Sequence, residues 1–291
     1  QRVPHQRAVV FPHGLDSCGR TAYTHLTFAQ LDDESNHLAA GLQRMGIKPG
    51  TRLVLFVRPS LEFITLTFAL FKVGAVIVLI DPGMGMKHVF HCLETVDPDG
   101  FVAIPTVHLA SIWSRKRFPR VKYRVVVGQR GFGFGPTYSD LLAADASSFR
   151  TVATTARDPA AIIFTSGSTG PAKGVLYEHG MFWAQVDMLQ ACYQFQPGEI
   201  DLPGFPLFAL FNSALGVTTV IPPMDPTRPA QADPKKLIDT MYDQGVTTSF
   251  GSPAIWNRVG RYCESQGIKL PKSLKRVISA GAPVPLDVLE R

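Results

Sequence analysis

The stretch that decides the fold reads Ile163-Phe164-Thr165-Ser166-Gly167-Ser168-Thr169-Gly170-Pro171-Ala172-Lys173-Gly174. An apolar run over 160–164 predicts a buried strand, so the hydroxyl-rich and glycine-rich residues form a loop at its carboxyl end. Open α/β sheets bind their ligands at that end. Glycines let backbone N–H groups approach a phosphate closely, hydroxyls donate to its oxygens, and Lys173 adds a positive charge. The segment therefore predicts a phosphate-binding loop.

This loop differs from the phosphate-binding loop of P-loop NTPases, in which Gly-Lys is followed by Ser or Thr. Here Ala172 precedes the lysine and Gly174 follows it, which disfavours that class. A flexible Ser/Gly/Thr linker is the plain structural alternative. A linker needs neither a buried strand before it nor Pro-Ala-Lys-Gly after it, so the phosphate-binding interpretation is preferred.

Helical and strand-like patterns alternate on both sides of the loop. The predicted strands are 52–57, 75–80, 100–104, 123–127, 160–164, 216–221, 246–250 and 276–279. Helices are predicted from a Thr-x-x-Gln capping box at 27–30 to a stop at Gly46, and over 60–72, 89–96, 179–193, 234–244 and 253–266. Residues 128–158 show no clear period and are interpreted as mostly irregular. Such alternation predicts an α/β fold with a largely parallel sheet.

Composition limits the class of protein. The chain has 291 residues, 45% of them hydrophobic and 18% charged, which is typical of a globular protein and not of a disordered one. No signal peptide pattern opens it, and charges interrupt the most apolar stretch, 53–80, before it is long enough to span a membrane. Four widely spaced cysteines without a Cys-x-x-Cys pair predict reduced core thiols in a cytoplasmic protein: Cys18, Cys92, Cys192 and Cys263.

The net charge of +6 includes one local cluster of basic residues. Its members are Arg115, Lys116, Arg117, Arg120, Lys122 and Arg124. A solvated loop or helix face is the preferred interpretation, and an anionic partner or a membrane surface stays open. Few aromatic residues interleave with the cluster, so we expect no nucleic-acid partner.

The loop over 165–170 together with Lys173 resembles the signature loop of the AMP-forming acyl-adenylate superfamily. That superfamily contains acyl-CoA synthetases, luciferases and the adenylation domains of peptide synthetases. The resemblance extends over Leu26-Thr27-Phe28 with Leu31 and Asn36, 71–75 with Asp81-Pro82, 206–208, and 279–283. It implies the α/β fold of the large N-terminal domain, with mostly parallel sheets flanked by helices. Residues 1–291 would form one nucleotide- and acyl-binding domain.

Three stretches, 205–211, 224–234 and 250–254, resemble the β-lactone synthetases of bacterial long-chain olefin biosynthesis. This resemblance implies conversion of a long-chain 2-alkyl-3-hydroxy acid to a β-lactone through an acyl-adenylate, with release of AMP and pyrophosphate. Many acyl-CoA synthetases carry His where this chain has Ala209, which weakens a thioester-forming interpretation. A long-chain acyl-CoA or acyl-AMP synthetase stays open, as does a catalytically incomplete nucleotide-binding fragment or scaffold.

The resemblance also implies the site residues. ATP would be bound by Thr165, Ser166, Gly167, Ser168, Thr169, Gly170 and Lys173, with Thr169 and Lys173 acting in catalysis. The adenine would lie along Gly281, Ala282 and Pro283. The acyl pocket would be lined by Phe208, Ala209, Phe211, Phe250, Gly251 and Ser252, although the aromatic members are equally expected as plain core.

The implied cofactors are ATP and Mg²⁺, and the implied partners are the long-chain hydroxy acid and other enzymes of the olefin pathway. The resemblance also implies a metal-binding acid, a ribose-binding Asp and a small C-terminal domain with a catalytic lysine, none of which is found in residues 1–291. The sequence does not identify the metal ligands. His88, His91 and Cys92 share one helix face, but no further Cys or His cluster complements them to form a metal site. His179 is a candidate base for ring closure, with a structural role at a helix start preferred.

Overall fold

In the computed structural model, the described residues are 3–128, 133–165, 172–205 and 208–290, without the side chains of Thr165, Phe208 and Ala209. Their strands are β1 (Arg7–Leu15), β2 (Thr21–Thr27), β3 (Arg52–Phe56), β4 (Val76–Leu79), β5 (Gly100–Ala103), β6 (Tyr123–Val126), β7 (Pro159–Thr165), β8 (Lys173–Glu178), β9 (Ile200–Pro203), β10 (Thr218–Val220), β11 (Thr248–Gly251) and β12 (Arg276–Ser279). Their helices are α1 (Phe28–Arg44), α2 (Leu61–Lys72), α3 (Met86–Val96), α4 (Pro105–Trp113), α5 (Tyr138–Leu142), α6 (His179–Tyr193), α7 (Phe208–Leu215), α8 (Pro234–Gln244), α9 (Pro253–Gln266) and α10 (Leu286–Glu290).

The chain divides into two compact units. Unit 1 comprises Gln1–Ala29 and Val186–Arg291, and unit 2 comprises Gln30–Gln185. Each unit contains a six-stranded sheet among its described residues. The strand order is β12-β11-β9-β10-β1-β2 in unit 1 and β6-β5-β3-β4-β7-β8 in unit 2. Within each sheet the neighbours are parallel except for one antiparallel edge pair, β1–β2 and β7–β8 respectively.

Unit 1 is built on a core between its sheet and two amphipathic helices. Leu202 and Val220 of the sheet are buried with Met241 of α8 and Ile255 of α9. Both helices begin with proline, whose fixed φ suits the first helical position, and end at a glycine of positive φ, Gly245 and Gly267.

Unit 2 contains the strands with the most continuous apolar runs. Val54 and Val78 are fully buried, as expected for parallel strands covered on both faces. Lys72, at the end of α2, holds that helix to α1. Its Nζ donates to the Asp32 carbonyl oxygen at 2.9 Å and carboxylate at 2.6 Å, to Ser35 Oγ at 2.8 Å and to Asn36 Oδ1 at 2.7 Å. Asn36 and Lys72 belong to the stretches that carried the family resemblance, and this contact gives them a structural role.

The predicted α/β fold with mostly parallel sheets is confirmed. Helices α6, α8 and α9 and strand β12 have the predicted bounds. The prediction missed β1, β2, β8, β9, α4, α7 and α10, and it treated the region of α5 as irregular. Polar and apolar residues alternate only weakly in β1 and β2, and β9 contains Asp201 and Pro203. None of these three strands therefore has a clear strand pattern in the sequence. The prediction of a single domain over 1–291 stays a prediction.

Two smaller expectations are changed by the structure. Cys92 is buried, but Cys18 and Cys192 are exposed, so the prediction of core thiols is wrong for these two residues. Among the described helices, none is both long and apolar enough to cross a membrane.

Candidate functional site

The predicted phosphate loop joins the two strands of a β-hairpin. Strand β7 pairs antiparallel with β8, and Thr165 lies opposite Lys173 in the register. The predicted site residues Ser166, Gly167, Ser168, Thr169 and Gly170 lie outside the described residues. The strands fix both ends of the loop, and Lys173 is exposed at the first position of β8. A buried strand before the loop is as predicted, whereas the antiparallel strand after it was missed.

A second strand ends beside the loop. Leu79 of β4 pairs with Ile163 of β7 in parallel register, so both strands end at the same edge of the sheet. Asp81 follows β4, is exposed, and accepts a hydrogen bond from the Gly83 N–H at 2.8 Å. At this edge of unit 2, the exposed Lys173 begins β8 and the exposed Asp81 follows β4, so these two charged residues lie on either side of the end of β7.

His179 begins α6, as expected for a helix-start residue. Its backbone N–H donates to the Asp158 carbonyl at 3.1 Å, and its ring packs edge-on against Phe71 at 5.7 Å between centroids. Burial lowers the pKa of the imidazole, and the nearby Asp158 carboxylate opposes this only in part. The packing favours the structural role, and proton transfer by His179 stays a hypothesis.

In unit 1, the predicted adenine turn and part of the predicted acyl pocket meet at one sheet edge. Gly251 at the end of β11 pairs with Ser279 at the end of β12. The Ala280 N–H donates to the Gly251 carbonyl at 3.4 Å. The turn then continues through Gly281, whose φ of +94° lies in the left-handed region that favours glycine. The residues after it, Ala282 and Pro283, are exposed.

The residues around the ends of β9 and β11 are closely packed. A Cβ on Gly251 would lie 3.0 Å from the ring of Trp256, and the Trp256 Nε1–H donates to the Gly251 carbonyl at 3.2 Å. The Phe250 carbonyl accepts from the Gly204 N–H at 2.6 Å, which ties the end of β9 to β11. A Cβ on Gly204 would lie 2.9 Å from Ile255. A side chain at either position would therefore require its neighbours to shift.

Two serine hydroxyls at this edge have no hydrogen-bond partner among the described residues. They are Ser279 Oγ at the end of β12 and Ser252 Oγ at the start of α9, and both oxygen atoms are buried. A buried hydroxyl without a partner costs about 1–3 kcal/mol, which a polar ligand atom can recover. Ser252 was predicted as a pocket residue. Ser279 lies in the stretch 279–283 that carried the family resemblance but was not named as a site residue, because sequence alone does not tell whether a hydroxyl finds a partner in the fold.

The remaining predicted pocket residues lie on β11 and α7. Phe250 and Phe211 are half-buried. Phe208 and Ala209 are in α7, but their side chains are outside the described residues. Asn212, on the same helix, is buried, and its Nδ2 donates to Asp201 Oδ2 at 2.7 Å and to Thr219 Oγ1 at 3.0 Å. Asn212 thus fixes α7 to the sheet.

Asp201 is a buried carboxyl group that sequence reasoning missed. Burial raises its pKa to about 7, against the hydrogen bond from Asn212 and the attraction of Arg276. Arg276 does not ion-pair with Asp201, because its guanidinium binds both carboxylate oxygens of Glu199 at 2.6 and 2.8 Å. No signal in the sequence Ile200-Asp201-Leu202 indicates this burial, since an isolated Asp usually points to solvent.

One family profile matches this chain, and the proteins similar to it include two bacterial synthetases. The sequence profile described as AMP-binding enzyme matches residues 1–291. The chain is 47% identical over 290 residues to an olefin β-lactone synthetase of Xanthomonas campestris pv. campestris, covering 99% of this chain and 51% of that protein. It is 48% identical over 274 residues to an olefin β-lactone synthetase of Stenotrophomonas maltophilia, covering 93% of this chain and 48% of that protein. The chain thus spans about half the length of these relatives.

A solved structure supports the fold. The long-chain-fatty-acid–CoA ligase FadD1 of Archaeoglobus fulgidus superposes with a TM-score of 0.83 at 18% identity, over 99% of this chain and 57% of that one. At such an identity, the similarity establishes the fold alone.

Proposed function

We propose, since this chain belongs to the AMP-binding enzyme family, that it supplies the nucleotide- and acyl-binding residues of an ATP-dependent β-lactone synthetase. The observation that carries the proposal is its near-half identity to two olefin β-lactone synthetases along almost the whole chain. The substrate would be a long-chain 2-alkyl-3-hydroxy acid, and the products a β-lactone, AMP and pyrophosphate.

The first step would activate the carboxylate, which is a poor acyl donor. Its oxygen would form a bond to the α-phosphorus of ATP as the bond from that phosphorus to the pyrophosphate oxygen breaks. Such a transfer depends mainly on positioning and charge stabilisation. We assign the phosphate contacts to residues 165–170 and to the exposed Lys173, whose ammonium group would offset the charge that develops on the pyrophosphate.

The adenine would lie along Gly281, Ala282 and Pro283, at the strand ends where Ser252 and Ser279 hold unpartnered hydroxyls. These hydroxyls suit the polar edge of a purine, which both donates and accepts hydrogen bonds. Mg²⁺ bound with ATP would neutralise phosphate charge, and such ions are usually held by phosphates with one or two carboxylates. The described residues contain no cluster of three or more His, Cys, Asp or Glu that could hold a metal ion by itself.

The second step would close the lactone ring. The substrate's own β-hydroxyl oxygen would bond to the acyl carbon, lose its proton to a base, and displace AMP. The pocket residues on α7 and β11, Phe211 and Phe250 among them, would fold the alkyl chains so that this oxygen faces the carbon. Such alignment can be worth effective molarities on the order of 10⁵–10⁸ M. We further propose a cytoplasmic enzyme that associates with other enzymes of olefin synthesis.

The proposal is tested by product analysis with the full-length gene product. It is incubated with Mg-ATP and a long-chain 2-alkyl-3-hydroxy acid, with and without coenzyme A. We expect AMP and a β-lactone without coenzyme A, and no lactone from the matched acid that lacks the 3-hydroxyl group. A thioester that forms only with coenzyme A would instead indicate an acyl-CoA synthetase. Failure to form AMP from any acid would leave a nucleotide-binding scaffold.

The loop assignment has its own test. Lys173→Ala should weaken ATP binding or turnover at least tenfold, because removing a charged contact to a phosphate costs about 1.5–3 kcal/mol. The fold should be unaffected, since Lys173 is exposed. The control is Lys48→Ala, which removes another exposed lysine of unit 2. If ATP affinity and rate are both unchanged in Lys173→Ala, the assignment is wrong.

A further inference from the structure

The excess positive charge of the chain is concentrated in one segment. Residues 100–138 contain seven Lys and Arg and no Asp or Glu, whereas the whole chain has a net charge of +6. The rest of the chain therefore carries one more negative than positive charge. The segment includes α4, the basic cluster that follows it and β6, all within unit 2.

Helix α4 presents an apolar face to solvent. Trp113 is 83% exposed, and Leu109 and Ile112 are 37% and 36% exposed. Residues 109, 112 and 113 have the spacing of neighbours on one helix face. Tryptophan is usually among the more buried residues, so an almost fully exposed one beside two exposed aliphatic side chains is a surface feature that needs a partner.

The opposite face of α4 is anchored, so this exposure is built into the fold. His108 is fully buried, with its Nε2 2.9 Å from the Val125 carbonyl oxygen. Ser111 is buried, donates to the His108 carbonyl at 2.8 Å and accepts from Arg124 at 2.5 Å. Turning Trp113 inward would break these contacts.

Some of the basic residues next to this face are already paired with acidic residues, and others are not. Arg117 pairs with Glu94 at 2.5 Å, and Arg120 pairs with Asp99 at 2.8 Å. Arg115 and Lys116 are exposed and form no ion pair within the described part of the chain. Two unneutralised cations thus lie two and three residues after the exposed Trp113.

We propose that Leu109, Ile112, Trp113, Arg115 and Lys116 form a docking surface for an anionic lipid bilayer. Tryptophan favours the membrane–water interface, and aliphatic side chains beside it enter the acyl region. Basic residues are attracted to anionic headgroups. A nucleic acid would use the cations but not the two aliphatic side chains, and a protein partner would have to supply both acidic and apolar groups. The inference stands on this surface alone and does not rest on the proposed lactone synthesis.

The test is co-sedimentation of the full-length gene product with vesicles of phosphatidylcholine alone or with 30% phosphatidylglycerol, at low and high salt. We expect binding to the anionic vesicles that weakens as salt screens the charges. Arg115→Ala/Lys116→Ala should weaken it about 25-fold, which is roughly fivefold per basic residue. Trp113→Ala should weaken it on the order of tenfold.

Matched controls separate this surface from general effects. Trp183→Ala removes another exposed tryptophan of unit 2, and Lys269→Ala/Lys272→Ala removes two exposed basic residues elsewhere. Both should bind vesicles as the unaltered protein does. Tryptophan emission should shift to the blue with anionic vesicles and lose that shift in Trp113→Ala.

Three results would overturn the proposal. They are no sedimentation with anionic vesicles, equal binding by the surface variants and the controls, and a change of oligomeric mass in Trp113→Ala without a change in vesicle binding. The last would make the surface a protein interface. AMP formation is measured without vesicles in every variant, so a failure of the proposed enzymatic function is seen separately.

Discussion

The replacement Asp201→Asn tests whether the buried carboxyl group in unit 1 is neutral in the folded protein. Asp201 is 4% exposed, and its pKa of about 7 compares with 3.8 for the free side chain. At 1.36 kcal/mol for each unit of pKa, that difference corresponds to about 4 kcal/mol. Its second oxygen, Oδ1, has no partner among the described residues, so an amide of the same shape should fit with little change.

The direction of the pH dependence follows from proton binding. Between about pH 4 and pH 7 the folded protein holds a proton on Asp201 that the unfolded chain has lost. The free energy of unfolding contributed by this group therefore falls as pH rises through that range, and is constant above it. Asp201→Asn removes the dependence. The variant should gain stability relative to the unaltered protein as pH rises, by up to about 4 kcal/mol at pH 8.

The measurement is urea unfolding at pH 5, 6, 7 and 8, with Asp187→Asn as the matched control at an exposed site. The control should give no comparable change of the stability difference with pH. A stability difference for Asp201→Asn that is constant over this range, or that favours the unaltered protein more at high pH, would refute the reasoning. Asp201 would then be ionised throughout, and Arg276 would stabilise it despite its pairing with Glu199.

Three other replacements test packing and backbone geometry. Lys72→Met should lower the free energy of unfolding by about 2–3 kcal/mol, because the Lys72 ammonium donates to four oxygen acceptors. Urea unfolding compares it with the control Lys48→Met, and an equal loss of stability in the two variants would contradict the prediction. Gly41→Ala should destabilise by about 1–2 kcal/mol despite its better helix propensity, since its Cβ would lie 3.1 Å from Leu141 Cα; a gain in stability on urea unfolding would contradict this. Gly281→Ala should weaken nucleotide binding in a calorimetric titration, because φ at +94° is strained for alanine; unchanged affinity would remove Gly281 from the proposed site.

How much the sequence predicted depended on how local the signal was. Helices α8 and α9 begin at Pro234 and Pro253 and end before Gly245 and Gly267, and these local signals gave their bounds. The phosphate loop was predicted because its residues are contiguous. Asp201 was missed, because its burial depends on strands distant in sequence.

The candidate site shows the same difference between local sequence signals and contacts between distant residues. Gly251 and Ser252 were placed in the pocket by a contiguous stretch that resembles a family, without a physical reason. The structure supplies the reason, since the packing of Gly251 on Trp256 and the unpartnered hydroxyl of Ser252 involve contacts that no sequence pattern encodes. Ser279 has the same property, and the resemblance covered it within 279–283 without assigning it a role.

The division of the chain into units has a consequence for folding during synthesis. Unit 2 is continuous, from Gln30 to Gln185, whereas unit 1 joins the first residues of the chain to its last third. Val9 of β1 pairs with Thr219 of β10, so the first strand emerges from the ribosome long before its parallel neighbour exists. We expect unit 2 to fold first. Until β10 is synthesised, β1 and β2 would form at most a hairpin in which the edge of β1 that pairs with β10 is exposed. Chaperones that cover exposed strand edges should therefore bind the nascent chain at β1 and β2, and release it only after β10 has been made.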